Sequence, residues 1–140
     1  MKIQFVAGFT PIVEDASAGQ RFYRDALGLP LVTNADNPSY VAMNDFGGVK
    51  HFGVWTLADA AQSCFGSREW PTAKPRPQAT IEFELATAAE VESGARELEA
   101  LGYSLIHGLR TEPWGQSVAR LLGPEGLLVG LSFAPWLHEA

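Results

Sequence analysis

The chain has one cysteine, two methionines and only ten basic residues among 140. A single thiol, Cys64, excludes an intrachain disulfide framework and a cysteine-based zinc cluster. It also implies a fold that needs no cross-link, as suits a reducing cytosol. Ten Lys and Arg against sixteen Asp and Glu leave a net charge of −6. A surface of that sign repels phosphate backbones and anionic lipid surfaces, so the partners expected include neither nucleic acid nor membrane. Long apolar runs are missing too. The best charge-free run, 127–137, is eleven residues long and contains Pro135, short of the ~18 that a membrane span needs. The opening residues imitate a signal peptide, with Lys2, an apolar run and Ala16-Ser17-Ala18. Gly8 and Pro11 interrupt that run, and Glu14-Asp15 sit before the supposed cleavage site, which excludes it. A cytoplasmic protein is expected. No Gly-rich loop leads into a helix to cradle phosphate. Ser17, Ser63 and Ser67 lack a nucleophile-elbow context, and Cys64 has no evident base beside it.

What is present is a globular balance, 46% apolar and 19% charged, of a length that suits one compact domain or two small modules sharing a core. Ile3, Phe5, Ala7 and Phe9 alternate with polar or small residues, which predicts a strand ending near Val13. Asp15 or Ser17 can cap a helix bearing Phe22, Tyr23, Ala26 and Leu27 on one face, ended by Gly28. Short strands follow at 31–33, 40–46 and 49–57, the last two joined at Gly47-Gly48. The stretch 58–78 holds Pro71, Pro75 and Pro77 and is expected to be a crossover loop or linker. A strand at 80–85 then leads to a capping box, Thr87-Ala88-Ala89-Glu90, and a helix with Val91, Ala95, Leu98 and Leu101 inward. Strands at 103–109, 116–122 and 127–133 complete the pattern.

The order β-α-β-β-β thus occurs twice. Ala26-Leu27-Gly28 returns as Ala100-Leu101-Gly102, 74 residues on, at the same helix end. The expected fold class is α+β: a module at 1–57, a Pro-rich linker at 58–78, a second module at 79–134 and a tail at 135–140. Helices would cover the outer sheet faces, and the inner faces would curve as a mixed sheet or half-barrel around a cleft, where ligand pockets form.

Val13-Glu14-Asp15, with Phe22-Tyr23-Arg24-Asp25-Ala26-Leu27-Gly28-Leu29, resembles the opening of the vicinal-oxygen-chelate superfamily, which includes glyoxalase, bleomycin-resistance and extradiol-dioxygenase proteins. Pro113-Trp114-Gly115-Gln116 and Gly123-Pro124-Glu125-Gly126-Leu127 resemble its last two strands and the turn between them. The resemblance spans nearly the whole chain; it is specific for the fold and weak for activity. For the metal-dependent members it implies a divalent metal held by His on the first strand of a module and by Glu or His on a last strand. Those positions fall here on Gly8, Thr80 and Gly130, which supply neither imidazole nor carboxylate. No metal and no other cofactor is therefore expected. The nearest relatives implied are metal-free, bleomycin-resistance-like homodimers, which pair by exchanging strands or modules.

Other residues remain as candidates. His51 is most simply a hydrogen-bonded strand residue, or else a ligand-orienting donor or general base, since an ordinary imidazole titrates near neutrality. His107 and His138 are expected at the surface. Glu82 and Glu84 share strand parity with Thr80, so both are expected to face the cleft, where the inner face is either simply wet or supplies a carboxylate that anchors a cationic or hydroxyl-bearing ligand. Glu90, Glu92, Glu97 and Glu99 fit a solvated helix face. Trp55, Trp70 and Trp114 flank turns and the proline loop; they suit a satellite cluster, a dimer contact or a stacking surface. The expected function is binding of a small organic molecule in an aromatic and acidic cleft, with His51, Trp55, Glu82, Glu84, Trp114 and Gln116 as ligand contacts. The alternative is a lyase, isomerase or dioxygenase of the same superfamily, working from a displaced metal site or from His51 and Glu82 only. A regulatory partner for another protein is the third possibility, favoured by an exposed Trp patch.

Overall fold

A computed structural model describes residues 1–26, 28–123 and 126–138, with only the backbone of Phe22. Eight strands form one open, curved mixed sheet: β1 (Phe5–Val13), β2 (Val32–Thr33), β3 (Val41–Met43), β4 (His51–Thr56), β5 (Ala79–Glu84), β6 (His107–Thr111), β7 (Ser117–Leu122) and β8 (Leu128–Phe133). Their order is β2-β3-β4-β1-β5-β8-β7-β6. Each half places its first strand parallel to its last, β1 with β4 and β5 with β8. The halves meet where β1 runs antiparallel to β5, Gly8 opposite Glu82 and Thr10 opposite Thr80. A bulge between Val6 and Gly8 brings both Ala7 and Thr10 to the inner face.

Three helices pack against the sheet. α1 (Ala16–Gln20) starts where the Asp15 carboxylate accepts the N–H groups of Ser17 and Ala18, and it widens into a π-helical stretch, Arg21–Ala26. Tyr23 packs there against the core of Leu31, Val41, Met43 and Val54. Leu27, expected on the same face, lies outside the described residues, as does the side chain of Phe22. α3 (Ala88–Ala100) starts at the expected cap, the Thr87 hydroxyl accepting Glu90 N–H at 3.1 Å. Val91 and Ala95 bury against Leu85, Ala119 and Leu131. Leu101 is a correction: it caps the helix and is 71% exposed. Pro124 and Glu125 of the expected last turn lie outside the described residues.

The stretch 58–78 is also corrected, because its first third is helical. α2 (Leu57–Phe65) starts at Thr56, whose hydroxyl accepts Asp59 N–H, and stops at Gly66, whose φ of +75° favours glycine. Ala60, Ala61 and Cys64 are buried against Trp70 and Leu128. Burial pushes the Cys64 thiol up to about 11, so it stays protonated and inert. Trp70 belongs to this cluster, edge-on to Phe65 with its indole N–H on Pro75 O at 3.0 Å. Within the expected tail, Pro135–Leu137 form a 3₁₀ turn against the sheet. Among the described residues no helix is long and apolar enough to cross a membrane.

Trp70 holds the proline-rich stretch onto α2. Trp70→Ala is expected to cost about 3 kcal/mol of folding stability by loss of buried area and a residual cavity. Urea unfolding followed by circular dichroism checks this; a cost within about 0.5 kcal/mol of zero would show that the stretch is not held there.

Candidate functional site

The inner sheet face encloses a cavity of about 600 Å³. Alternation along β4 and β5 turns His51, Trp55, Thr80 and Glu82 into it. Trp114 and Gln116 reach it from the turn between β6 and β7, Arg120 from β7, and Trp136 from the 3₁₀ turn. Five of the six residues expected as ligand contacts therefore meet at one cavity. Glu84 does not. It shares Glu82's parity, but the C-terminal turn covers it: Glu84 is fully buried, and its Oε2 accepts Ala134 N–H at 2.6 Å and His138 Nε2–H at 2.8 Å. His138, exposed as expected, also helps clamp that turn.

Glu82 is flanked by two glycines. Gly8 pairs with it across β1 and Gly130 across β8, and Gly8 pairs on its other side with His51. A Cβ on Gly130 would stand 3.2 Å from Glu82 Cγ, and one on Gly8 would stand 3.1 Å from the His51 carbonyl oxygen. Two positions that hold metal ligands in the resembled family are thus backbone floor here, with the Glu82 side chain against Gly130 and His51 against Gly8. The third, Thr80, is buried in the cavity wall. Glycine and threonine do not fit a divalent ion of the expected kind, and the described residues contain no group of three or more His, Cys, Asp or Glu that could hold a metal.

The orientation of Gln116 is set by its neighbours. Its Oε1 accepts the Trp114 indole N–H at 2.9 Å, so its amide nitrogen donates to Glu82 Oε2 and to Ser132 Oγ. Burial raises the Glu82 carboxyl above the usual carboxylate range, while the Arg120 charge and the Gln116 hydrogen bond partly oppose the shift. Arg120 is 2% exposed; it donates to Glu112 Oε1 at 2.8 Å and lies over the Trp55 ring at 5.4 Å.

On the opposite wall His51 is pinned between two partners. Its Nδ1–H donates to Asn44 Oδ1, so its Nε2 accepts the Tyr40 hydroxyl proton. Burial lowers His51 to about 4, leaving a neutral ring at pH 7. Burial, reinforced by the nearby Glu82 charge, raises Tyr40 well above an ordinary phenol. With its proton committed to His51, the Tyr40 oxygen keeps lone pairs for another partner. Both ring nitrogens of His51 are thus engaged within the wall. His107, expected at the surface, is half-buried with Nε2 3.3 Å from Arg120 Nη1, and is also lowered to about 4, by burial first.

Tyr40, Asn44, Arg120 and Trp136 are cavity residues that sequence reasoning missed. Tyr40 has one legible signal, Gly53. The Tyr40 ring lies over Gly53, where a Cβ would stand 2.6 Å from the hydroxyl and 3.0 Å from Val41 O.

Two outcomes follow from this wall. Gly53→Ala should push Tyr40 off His51 and raise the His51 pKa toward its ordinary 6.5, read from the imidazole resonances in an NMR titration; a value staying near 4 contradicts the close fit. Both depressed histidines bind protons in the unfolded chain before the folded one does. Their contribution to stability is therefore full above pH 6.5 and lost as pH falls toward 4, while the raised Glu82 carboxyl contributes with the opposite sign. Melting temperature of Glu82→Gln measured across that range checks the histidine sign, and a flat profile in that variant would contradict it.

A family model described as the glyoxalase/bleomycin resistance protein/dioxygenase superfamily matches residues 6–131. Comparison with curated protein sequences finds no match. Among solved structures, a glyoxalase/bleomycin resistance protein/dioxygenase superfamily member from Vibrio splendidus 12B01 is similar, with a TM-score of 0.58 at 14% identity, covering 94% of this chain and 98% of that one. Streptomyces coelicolor methylmalonyl-CoA epimerase in complex with 2-nitronate-propionyl-CoA is similar at a TM-score of 0.57 and 14% identity, covering 99% of this chain and 100% of that one. At such identity these structures show the shared fold alone. With the family model spanning nearly all of both halves of the sheet, the chain belongs to the glyoxalase/bleomycin resistance protein/dioxygenase superfamily.

Proposed function

We propose that this protein binds a small organic molecule in the inner cavity without the metal usual to its superfamily. The observation that carries this is Glu82, a carboxylate set between Gly8 and Gly130 where relatives would present metal ligands. Trp55, Trp114 and Trp136 surround the same space with flat apolar surface. Across it the Glu82 carboxylate and the Tyr40 oxygen offer acceptors, and the Arg120 guanidinium in the same wall is engaged by Glu112, so the ligand class is a cationic or hydrogen-bond-donating molecule with a planar or apolar body. A cation beside Glu82 would offset the unfavourable burial of its charge. Pairing of two chains, with strands or modules exchanged, is part of the same proposal.

A second reading has one observation behind it. Asn44, His51 and Tyr40 form a hydrogen-bonded chain on the wall opposite Glu82, two proton-holding devices facing one space. A lyase or isomerase working from His51 and Glu82 would use that pair, His51 acting through Tyr40. Tyr40→Phe removes the relay and keeps the ring. Were turnover of any substrate found, Tyr40→Phe should lower kcat far more than it raises KM; equal effects would assign Tyr40 to binding only.

Benzylamine is a suitable probe of the binding reading, being an ammonium on a flat ring. Calorimetric titration should show saturable binding, weakened about tenfold in Glu82→Gln, where one charge-assisted contact is lost. Affinity should fall as pH is lowered through the raised Glu82 pKa, because the cation selects the ionised carboxylate, and Glu82→Gln should flatten that dependence. Absence of binding across a wider set of cationic and aromatic compounds would contradict the proposal.

A further inference from the structure

The inner cavity adjoins a second one of about 300 Å³, and Asn37, Trp55, Pro113 and Trp114 line both. The two differ in chemistry. The inner cavity presents the acceptors of Glu82 and Tyr40, whereas the second is lined by the guanidinium groups of Arg68 and Arg110 together with the Asp59 and Glu112 carboxylates they pair with.

The charge arrangement behind Arg110 is uneven. One oxygen, Glu112 Oε1, accepts from Arg110 Nε at 3.2 Å and from Arg120 Nη1 at 2.8 Å. Two guanidinium groups on one carboxylate leave a positive charge in excess, and Glu112 and Arg120 are both buried. Removing unlike charges from water is tolerated when they are matched, and a surplus of one sign is costly. Glu82 does not cancel the surplus at the Arg110 end, since it faces the inner cavity and its charge acts on Arg120. Arg68 stands on the other side of the second cavity, donating through Nη2 to Asp59 Oδ1 at 3.0 Å. The other Asp59 oxygen is taken by Asn37 and Ser39.

A guanidinium carries five N–H donors on three nitrogens. The bonds found among the described residues occupy one nitrogen of Arg110 and one of Arg68. Their side chains are 38% and 61% exposed, so both keep donors for a molecule entering this space. Oxyanions are the ligands such forks match best, because each N–H···O⁻ bond is charge-assisted and can be bidentate.

We propose that the second cavity is an oxyanion subsite built by Arg110 and Arg68, and that the molecule held in the inner cavity carries a carboxylate or phosphate group that reaches past Trp55 and Trp114 into it. The inference rests on the binding reading above and narrows it. The ligand is two-ended, with a cationic or donor group at Glu82 and Tyr40, a planar or apolar middle against the indoles, and an anion at Arg110. Such a molecule meets the acidic and the basic ends of the site at once, and the mild acidity of the chain as a whole has no part in its recognition.

The test uses the whole protein and four probes at constant ionic strength: inorganic phosphate, acetate, benzylamine and 4-(aminomethyl)benzoate. Phosphate and acetate separate the two oxyanion sources. At least one of them should shift the indole N–H resonances of Trp55 and Trp114 saturably, and Arg110→Met should weaken that binding about tenfold. Arg68→Met, at the more exposed position, should weaken it about threefold. 4-(Aminomethyl)benzoate should bind about tenfold more tightly than benzylamine, and in Arg110→Met that ratio should fall to about one. An anion response equal in the wild type and in both arginine variants, or no anion response, would overturn the subsite. Failure of benzylamine to bind, with the Arg110-dependent anion response intact, would instead overturn the reading of the inner cavity and leave the oxyanion site standing.

Discussion

The antiparallel pairing of β1 with β5 is the constraint on which the rest depends. It joins two four-stranded halves into one sheet, and its register sets Gly8 against Glu82 and Thr10 against Thr80. Parallel pairing on either side then adds His51 beyond Gly8 and Gly130 beyond Glu82. A shift of one residue would exchange the faces of the whole central strand, sending Glu82 outward and Ile81 and Phe83 into the cavity. The bare floor at Gly8 and Gly130 and the carboxylate between them are therefore one feature of the fold. It is a floor shaped for a side chain where the superfamily pattern would place ligands to a metal.

The polar groups on that floor are held in defined states by their surroundings. Trp114 orients Gln116, and Gln116 restrains Glu82; Asn44 orients His51, and His51 takes the Tyr40 proton. Burial acts on each in the direction that disfavours charge, raising Glu82 and Tyr40 and lowering His51. The Arg110–Glu112–Arg120 cluster is built differently, with two guanidinium groups sharing one carboxylate oxygen. One half of the site thus presents the acceptors of Glu82 and Tyr40, and the other the guanidinium groups of Arg68 and Arg110 with their carboxylate partners, with Trp55 and Trp114 between them. The Glu84 clamp on Ala134 and His138 serves the fold instead, holding the C-terminal turn so that Trp136 lines the cavity.

Much of this is legible in the sequence, and what is not has physical reasons. The doubled order of elements, the caps at Asp15 and Thr87 and the strand alternation report the fold, because each depends on neighbours close in the chain. Parity alone places His51, Trp55, Thr80 and Glu82 on one face. α2 was legible at both ends, in Thr56 with Asp59 and in Gly66, but three prolines downstream dominate the composition of that stretch. Parity fails for Glu84 because a segment fifty residues away folds over it, a contact with no local signature. Tyr40 and Arg120 escape for the same reason, their partners being set by sheet pairing and by turns across the cavity. Trp70 and Trp55 look alike as isolated tryptophans in sequence, yet one closes a core cluster and the other also lines the cavity.

The central claim is that the Glu82 cavity holds an organic molecule directly and does not depend on a divalent metal. Native mass spectrometry with elemental analysis, on protein purified from cells without chelators, tests it most directly. The expected result is an organic adduct of a size that fits about 600 Å³, without a stoichiometric divalent ion. One divalent ion per chain, retained through purification and removed by a chelator, would contradict it.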